Sequence, residues 1–149
     1  MNLETYFTKN RIPFEKHIHT PAYTAQGLAQ AEHVSGYQVA KPVVVRTGSG
    51  FAMCVLTAPQ HLDRKRVADV LKEGEVRLAT ESEMAGLFPD CELGAEPPFG
   101  NVYNLPVYVD ESLRKDPEIV FNAGTHTEAI RMRYADLVRP VIAVLSSAT

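Results

Sequence analysis

Three stretches of this sequence hold side chains whose type and setting are suited to chemistry. The first is Lys41. In an extended strand Val39, Lys41, Val43 and Val45 share one face, and Pro42 holds Lys41 extended. A lysine among valines either snorkels from a strand end or aims a positive charge into a pocket, where it would hold a phosphate or carboxylate as a point charge. The second is the run Leu93-Gly94-Ala95-Glu96-Pro97-Pro98-Phe99-Gly100. Its glycines admit close approach to the backbone and its prolines stiffen it. Such a loop is either a rigid connection or a preorganised set of backbone N–H and C=O groups facing a substrate. It lacks the Gly-Lys-Ser/Thr of a phosphate-binding Walker loop. The third is Phe121-Asn122-Ala123-Gly124-Thr125-His126, in which a strand runs into a glycine and then offers Thr125 and His126. His126 is either structural or a group that accepts a proton, orders a water or donates to a substrate oxygen.

Other familiar chemistries lack a signature. His17 and His19 share a strand face as a metal pair would, but no third ligand follows at a telling spacing, so no metal is expected. There is no GxSxG, and neither Cys54 nor Cys91 sits in a nucleophile context. Two separated cysteines without a CxxC read as reduced thiols.

These residues must be positioned by a fold of ordinary composition. The 149 residues, 45% hydrophobic and 22% charged, suit one domain spanning 1–149. The net charge of −3 argues against coating a nucleic-acid backbone, and so against duplex DNA as partner; it leaves room for gripping the end of an RNA. The run Arg64-Lys65-Arg66 is either a contact for such an end or a solvated helix face. No stretch approaches the ~20 apolar residues of a membrane span, and the first residues, MNLETYFTKN, have no apolar signal core, which places the protein in the cytoplasm.

Periodicity and punctuation predict the elements. A short amphipathic helix covers residues 2–10 and a strand 14–19. Thr24 caps a helix reaching Val34 and closed by Gly36. Residues 39–46 and 51–57 form a hairpin about Gly48-Ser49-Gly50 at the heart of a sheet. Asp63 caps a helix to Lys72, with Val67, Val70 and Leu71 inward and Gly74 as its stop; residues 75–79 are a strand. Thr80 and Glu83 make a capping box for a helix ending near Phe88. Residues 89–104 are loop, 105–110, 119–123 and 129–132 are strands, and 134–145 form a closing helix kinked at Pro140. This irregular mixture predicts an α/β domain of the α+β type, a mixed, curved sheet with helices around it.

Taken in order, Pro21-Ala22-Tyr23-Thr24-Ala25, Val39-Ala40-Lys41, Gly94 with Pro98 and Gly100, and Asn122-Ala123-Gly124 resemble the YbaK-like aminoacyl-tRNA deacylases, the domain also inserted in bacterial prolyl-tRNA synthetases. The resemblance implies a barrel-like mixed sheet flanked by helices. It implies hydrolysis of the ester joining an incorrect amino acid to the terminal adenosine of a tRNA, with no metal, no cofactor and no covalent intermediate. Lys41 would engage phosphate or polar groups of that adenosine. The stretch from Gly94 to Gly100 would match the family's Gly-x-x-x-Pro loop against the aminoacyl group, and Gly124 and its neighbours would form another wall. Tyr23 and Phe99 would line the pocket or simply pack, and His126 would order the water. The partners implied are the tRNA acceptor end and an aminoacyl-tRNA synthetase. The stretch Gly124-Thr125-His126-Thr127 departs from the Gly-Lys-Arg-Gly pattern of the enzymes acting on cysteinyl-tRNA. It is closer to alanine-editing domains, so a small residue such as alanine or cysteine on tRNA-Pro is the expected substrate.

Overall fold

Pairing between strands far apart in sequence governs the architecture, a computed structural model that describes residues 3–140 and 143–145. One sheet has the order β1-β7-β6, built from Phe14–Ile18 (β1), Glu118–Asn122 (β6) and Glu128–Arg133 (β7), all antiparallel. The other has the order β4-β2-β3-β5-β8. Its members are Ala40–Thr47 (β2), Gly50–Thr57 (β3), Arg77–Leu78 (β4), Val107–Asp110 (β5) and Ala143–Leu145 (β8). The β2–β3 hairpin is central and in full register from Ala40↔Thr57 to Thr47↔Gly50, whereas β5 runs parallel to both β3 and β8. A parallel bridge between Val39 and Val120 joins the sheets. The result is the mixed α+β fold expected, and the described strands do not close into a barrel.

Helices form where capping groups satisfy the free N–H groups of the first turn. Thr24 accepts from the Gly27 N–H at 2.9 Å to start α2 (Ala25–Ala31), and Asp63 accepts from Lys65 and Arg66 to start α3 (Arg64–Leu71). Thr80 and Glu83 form the reciprocal box of α4 (Glu81–Leu87). Arg77 grips the same Glu83 carboxylate at 2.8 and 2.9 Å, and this pairing holds its pKa down to about 2. Helix α1 is Leu3–Lys9; Asn2, which the predicted helix also covered, lies outside the described residues.

Several sequence expectations are corrected. Helix α2 ends at Ala31, and Gly36 opens a separate 3-10 turn, Gly36–Gln38. Lys72, left-handed at φ 57°, stops α3 before Gly74 is reached, and Val70 is exposed while Ala68 is buried in its place. Strand β4 is only two residues long. The loop at 89–104 contains a 3-10 turn, Gly100–Tyr103. The closing helix stops early: α5 is Tyr134–Val138, and 143–145 are strand, because Pro140 cannot continue the hydrogen-bond ladder. Residues 141 and 142, which the expected helix also covered, lie outside the described residues.

Three apolar clusters hold the layers together. In the largest, Phe7, Phe99 and Phe121 stack in series, with ring centroids 5.0 and 5.6 Å apart, against Met53, Val55, Val109 and Ile130. Each such ring contributes roughly 1.5–3 kcal/mol by burial. A second cluster sets Val67 of α3 against Val45, Cys54 and Leu56. The third is built of small residues, Ala22, Ala29, Ala58 and Ala129 with Leu28, Val39 and Val120, and packs α2 on the outer face of β6 and β7.

Candidate functional site

The β6–β7 turn and the loop 94–100 are stitched together by their backbones. Glu92 N–H donates to Gly124 O at 2.8 Å, and Gly124 N–H to Ala95 O at 2.9 Å. Gly124 adopts φ +96°, a conformation costly for other residues, so the sequence needs glycine at this crossing. Gly94 is likewise at φ +87°, and its N–H donates to both oxygens of Glu96 at 3.2 Å each. Glu96 is buried, and burial pushes its carboxyl above the usual range, against the two backbone N–H groups and His126, which favour the anion.

His126 lies between this loop and the segment leading into α2. Its ring Nε2 faces Leu93 O at 2.8 Å, and Nδ1 faces Ala22 O at 3.1 Å. Its backbone N–H donates to Glu92 Oε1 at 2.7 Å, and its carbonyl accepts from Ala22 N–H at 2.9 Å. The Tyr23 ring rests on the imidazole, with centroids 4.7 Å apart, and the Cβ of any residue replacing Gly94 would lie 3.4 Å from the imidazole Cε1. The ring therefore bridges two segments 71 residues apart in sequence, Ala22 and Leu93. With a carbonyl oxygen against each nitrogen, neither can take a proton from a bound water without giving up a contact.

Lys41 is half-buried on β2, and burial lowers its pKa from the ordinary lysine value. The ammonium donates to Ala58 O at 3.1 Å and to Gln60 O, so two of its three N–H groups are committed. Gln60 is fixed in turn: its Oε1 accepts from Thr57 N–H at 2.8 Å, and its Nε2 donates to buried Asp110 at 3.1 Å. Ser112 Oγ lies 2.5 Å from Asp110 Oδ2 and 3.0 Å from Gln60 Oε1, and its single proton is donated to one of the two. The carbonyls that Lys41 and His126 face belong to Ala58 and Ala22, whose side chains pack in the small-residue cluster, but no described cavity is lined by both Lys41 and His126. Asn122 shares a strand face with Val120 of that cluster, and its buried Oδ1 has no protein partner.

A cavity of about 470 Å³ opens on the other side of the turn. Pro97, Gly124 and Thr125 border it, whereas Lys41 and His126 do not. Lys16 crosses it in ion pairs to Glu4 at 3.3 Å and Glu128 at 3.1 Å, and Thr125 Oγ1 donates to Glu128 at 2.9 Å. Hydrogen bonds to Glu128 and Glu4 raise the Lys16 pKa, and those from Lys16 and Thr125 lower that of Glu128. Cys91 faces the Tyr103 hydroxyl at 3.4 Å, and burial pushes its thiol up to about 11, so it is no ready nucleophile.

The sequence-predicted residues thus divide. Tyr23 and Gly94 both lie against His126, whereas Lys41 is held at Ala58 and Gln60 and Asn122 ends β6. Thr125 and Gly124 turn toward the cavity. Pro98, Phe99 and Gly100 are buried, with Phe99 inside the aromatic core and Gly100 so close-packed that a Cβ would lie 3.0 Å from Val107. His17 is tied to Glu32 at 2.7 Å and His19 to Thr20 O at 2.6 Å; among the described residues no group of three metal-ligating side chains forms. Sequence reasoning missed Glu92, Glu96, Gln60, Asp110 and the Lys16–Glu128 pair. Asp110 left a signal as a capping residue for the 3-10 turn Glu111–Lys115, and Glu96 as a carboxylate set between glycine and prolines.

Residues 19–139 match the model of the aminoacyl-tRNA editing domain. The chain belongs to the aminoacyl-tRNA editing domain family. The match spans Tyr23, Lys41, the loop 94–100 and His126. Solved structures share the fold at lower identity. A hypothetical protein superposes with a TM-score of 0.86 at 19% identity, over 95% of this chain and 96% of its own. A candidate trans-editing enzyme for prolyl tRNA synthetase gives 0.81 at 24%, over 96% and 92%. The same fold makes up 29% of a candidate signal transduction protein of Marinobacter aquaeolei, with 94% of this chain aligned at a TM-score of 0.71 and 12% identity. No curated protein matches the chain. Among the described residues no helix is long and apolar enough to cross a membrane.

Proposed function

We propose that this editing-family protein is a deacylase acting in trans, hydrolysing the ester between a wrongly attached amino acid and the terminal adenosine of a tRNA in the cytoplasm. The observation that carries the reading is that the family match spans 19–139 and so includes every residue gathered around His126 and Lys41. An aminoacyl ester is already activated, so the protein has mainly to position a water and stabilise the developing oxyanion; each effect can supply several kcal/mol. Lys41 keeps one N–H for a phosphate or polar group of the terminal adenosine. The unfilled Oδ1 of Asn122 suits the amino group of the aminoacyl moiety. His126 acts as the wall joining Ala22 to Leu93 and thereby sets the width of the site. The substrate proposed is a small residue such as alanine or cysteine, and the candidate trans-editing neighbour makes tRNA-Pro the first tRNA to test.

A panel of mischarged tRNAs, including alanyl- and cysteinyl-tRNA-Pro, tests this directly. The purified protein should release the amino acid from at least one, and Lys41→Ala should abolish release. Survival of the whole panel at high enzyme concentration overturns the reading. A second reading, a non-catalytic module that binds an aminoacyl-adenosine or a synthetase, is favoured by one observation: both His126 nitrogens face backbone carbonyls, leaving no unengaged base there. Protection of the ester on binding, with no release, selects it.

A further inference from the structure

A groove of about 800 Å³ runs between the end of β1 and α2, lined by Ile18, His19, Tyr23, Gln30 and His33 among others. It is continuous with the proposed site, because Ala22 and Tyr23 belong to both: Ala22 O receives the His126 ring and Tyr23 lies on it. The Tyr23 ring is 71% exposed and Ile18 83% exposed, so the groove offers water a flat aromatic and an aliphatic edge side by side. Among the described residues its one carboxylate, Glu32, is turned to His17 at 2.7 Å, and no lysine or arginine lines it. Its remaining polar groups are hydroxyl, amide and imidazole donors and acceptors, and His19 Nε2 is buried without a protein partner.

A groove with an aromatic platform, hydrogen-bonding side chains and no lysine or arginine among its described lining suits unpaired bases better than a phosphate backbone. The protein's net charge of −3 points the same way, toward a short contact rather than a long one along a duplex. We infer that this groove receives the unpaired nucleotides immediately preceding the terminal adenosine, with Tyr23 as stacking platform at the junction. The inference rests on the deacylase reading. It assigns to 18–33 the task of distinguishing a tRNA end from a bare aminoacyl nucleoside.

Two substrates separate the groove from the reacting centre: a mischarged tRNA and the same aminoacyl ester on adenosine alone. The double variant Gln30→Glu, His33→Glu puts carboxylates on exposed groove positions. It should lower kcat/KM on the tRNA by about tenfold, mostly through KM, and leave the nucleoside ester unchanged. Tyr23→Ala should weaken tRNA turnover and Tyr23→Phe restore it. Equal loss on both substrates, or loss on neither, overturns the groove. If the wild type turns over neither, the deacylase reading itself fails. The groove is then judged, as it is if only one substrate is accepted, by fluorescence anisotropy of a short single-stranded RNA ending in CCA. Binding to the wild type and not to the double variant sustains it; no binding, or equal binding, overturns it.

Discussion

Two segments meet at His126, and they are built in opposite ways. From Ala95 to Gly100 the loop is buried throughout, with Phe99 in the aromatic core and Ala95 and Gly124 hydrogen-bonded to each other. From His19 to Thr24 only Ala22 is buried, and the segment is held by His19 N–H to Thr127 O, Ala22 N–H to His126 O, and the imidazole. The exposed Leu93 and Gly94 that meet His126 are thus backed by core, while the other wall is docked by a few polar contacts. A site made this way keeps one wall fixed and can adjust the other, because segments with few buried contacts open at low free-energy cost.

The comparison breaks most readily at Phe99. Truncation to alanine should cost about 3–5 kcal/mol in denaturant unfolding, because it empties the centre of the aromatic stack. A loss below ~1 kcal/mol would mean that the loop is as loosely held as the opposite wall. His126→Ala should behave differently. It removes the imidazole contacts to Ala22 O and Leu93 O, of which a ring bearing one N–H donates a single hydrogen bond worth about 0.5–1.5 kcal/mol, so stability changes modestly while hydrogen exchange of Ala22 and Tyr23 speeds up and that of Ala95 does not. Uniform acceleration on both walls would erase the distinction. Gly94→Ala forces a side chain to φ +87°, 3.4 Å from the imidazole, and should cost roughly 1–2 kcal/mol, with deacylation falling more steeply than the melting temperature.

How much of this was legible in the sequence follows from the range of the interactions. The capping box of Thr80 and Glu83 and the hairpin about Gly48 are local, so residue type and spacing display them directly. The helix stop at Lys72 is also local yet escaped, because a lysine rarely takes a left-handed φ and nearby Gly74 offered the simpler stop. Pro140 was seen, but as a kink instead of an end; β5, which pairs with the following strand, decides that. For the site, Lys41, Gly94 and His126 stand out by residue type. What they touch does not, since the carbonyls of Ala22, Leu93, Ala58 and Gln60 carry no mark in a sequence. Glu96 could have been suspected as a carboxylate between glycine and prolines. Lys16 and Glu128 are ordinary surface letters until β1 and β7 pair.

The smallest effect expected belongs to that last pair. Both groups are partly exposed, so the ion pair contributes no more than about 1 kcal/mol. The Glu128 carboxyl is held low, so its contribution is complete above the ordinary carboxylate range and is lost as pH falls through its folded value. Lys16 is held high, so its share is complete below the ordinary lysine range and is lost as pH rises through the raised value. Glu128→Gln should therefore flatten the acid limb of the stability profile by a few tenths of a kcal/mol to ~1 kcal/mol, measured by thermal unfolding between pH 3 and 7. An unchanged acid limb would show that the pair does not hold the turn.

The pairing of Phe14 with Met132 sets the order in which the chain can assemble. Strand β1 has no antiparallel neighbour until β7 has been synthesised, and β5 completes its outer edge only with β8. The β2–β3 hairpin pairs neighbours in sequence and can form early, though two strands alone are only marginally stable; the walls around His126 wait for sequence-distant partners, and loop closure over such spans slows folding. On the ribosome, therefore, the hairpin is the first pairing open to the emerging chain, while those walls are among the last parts to take shape.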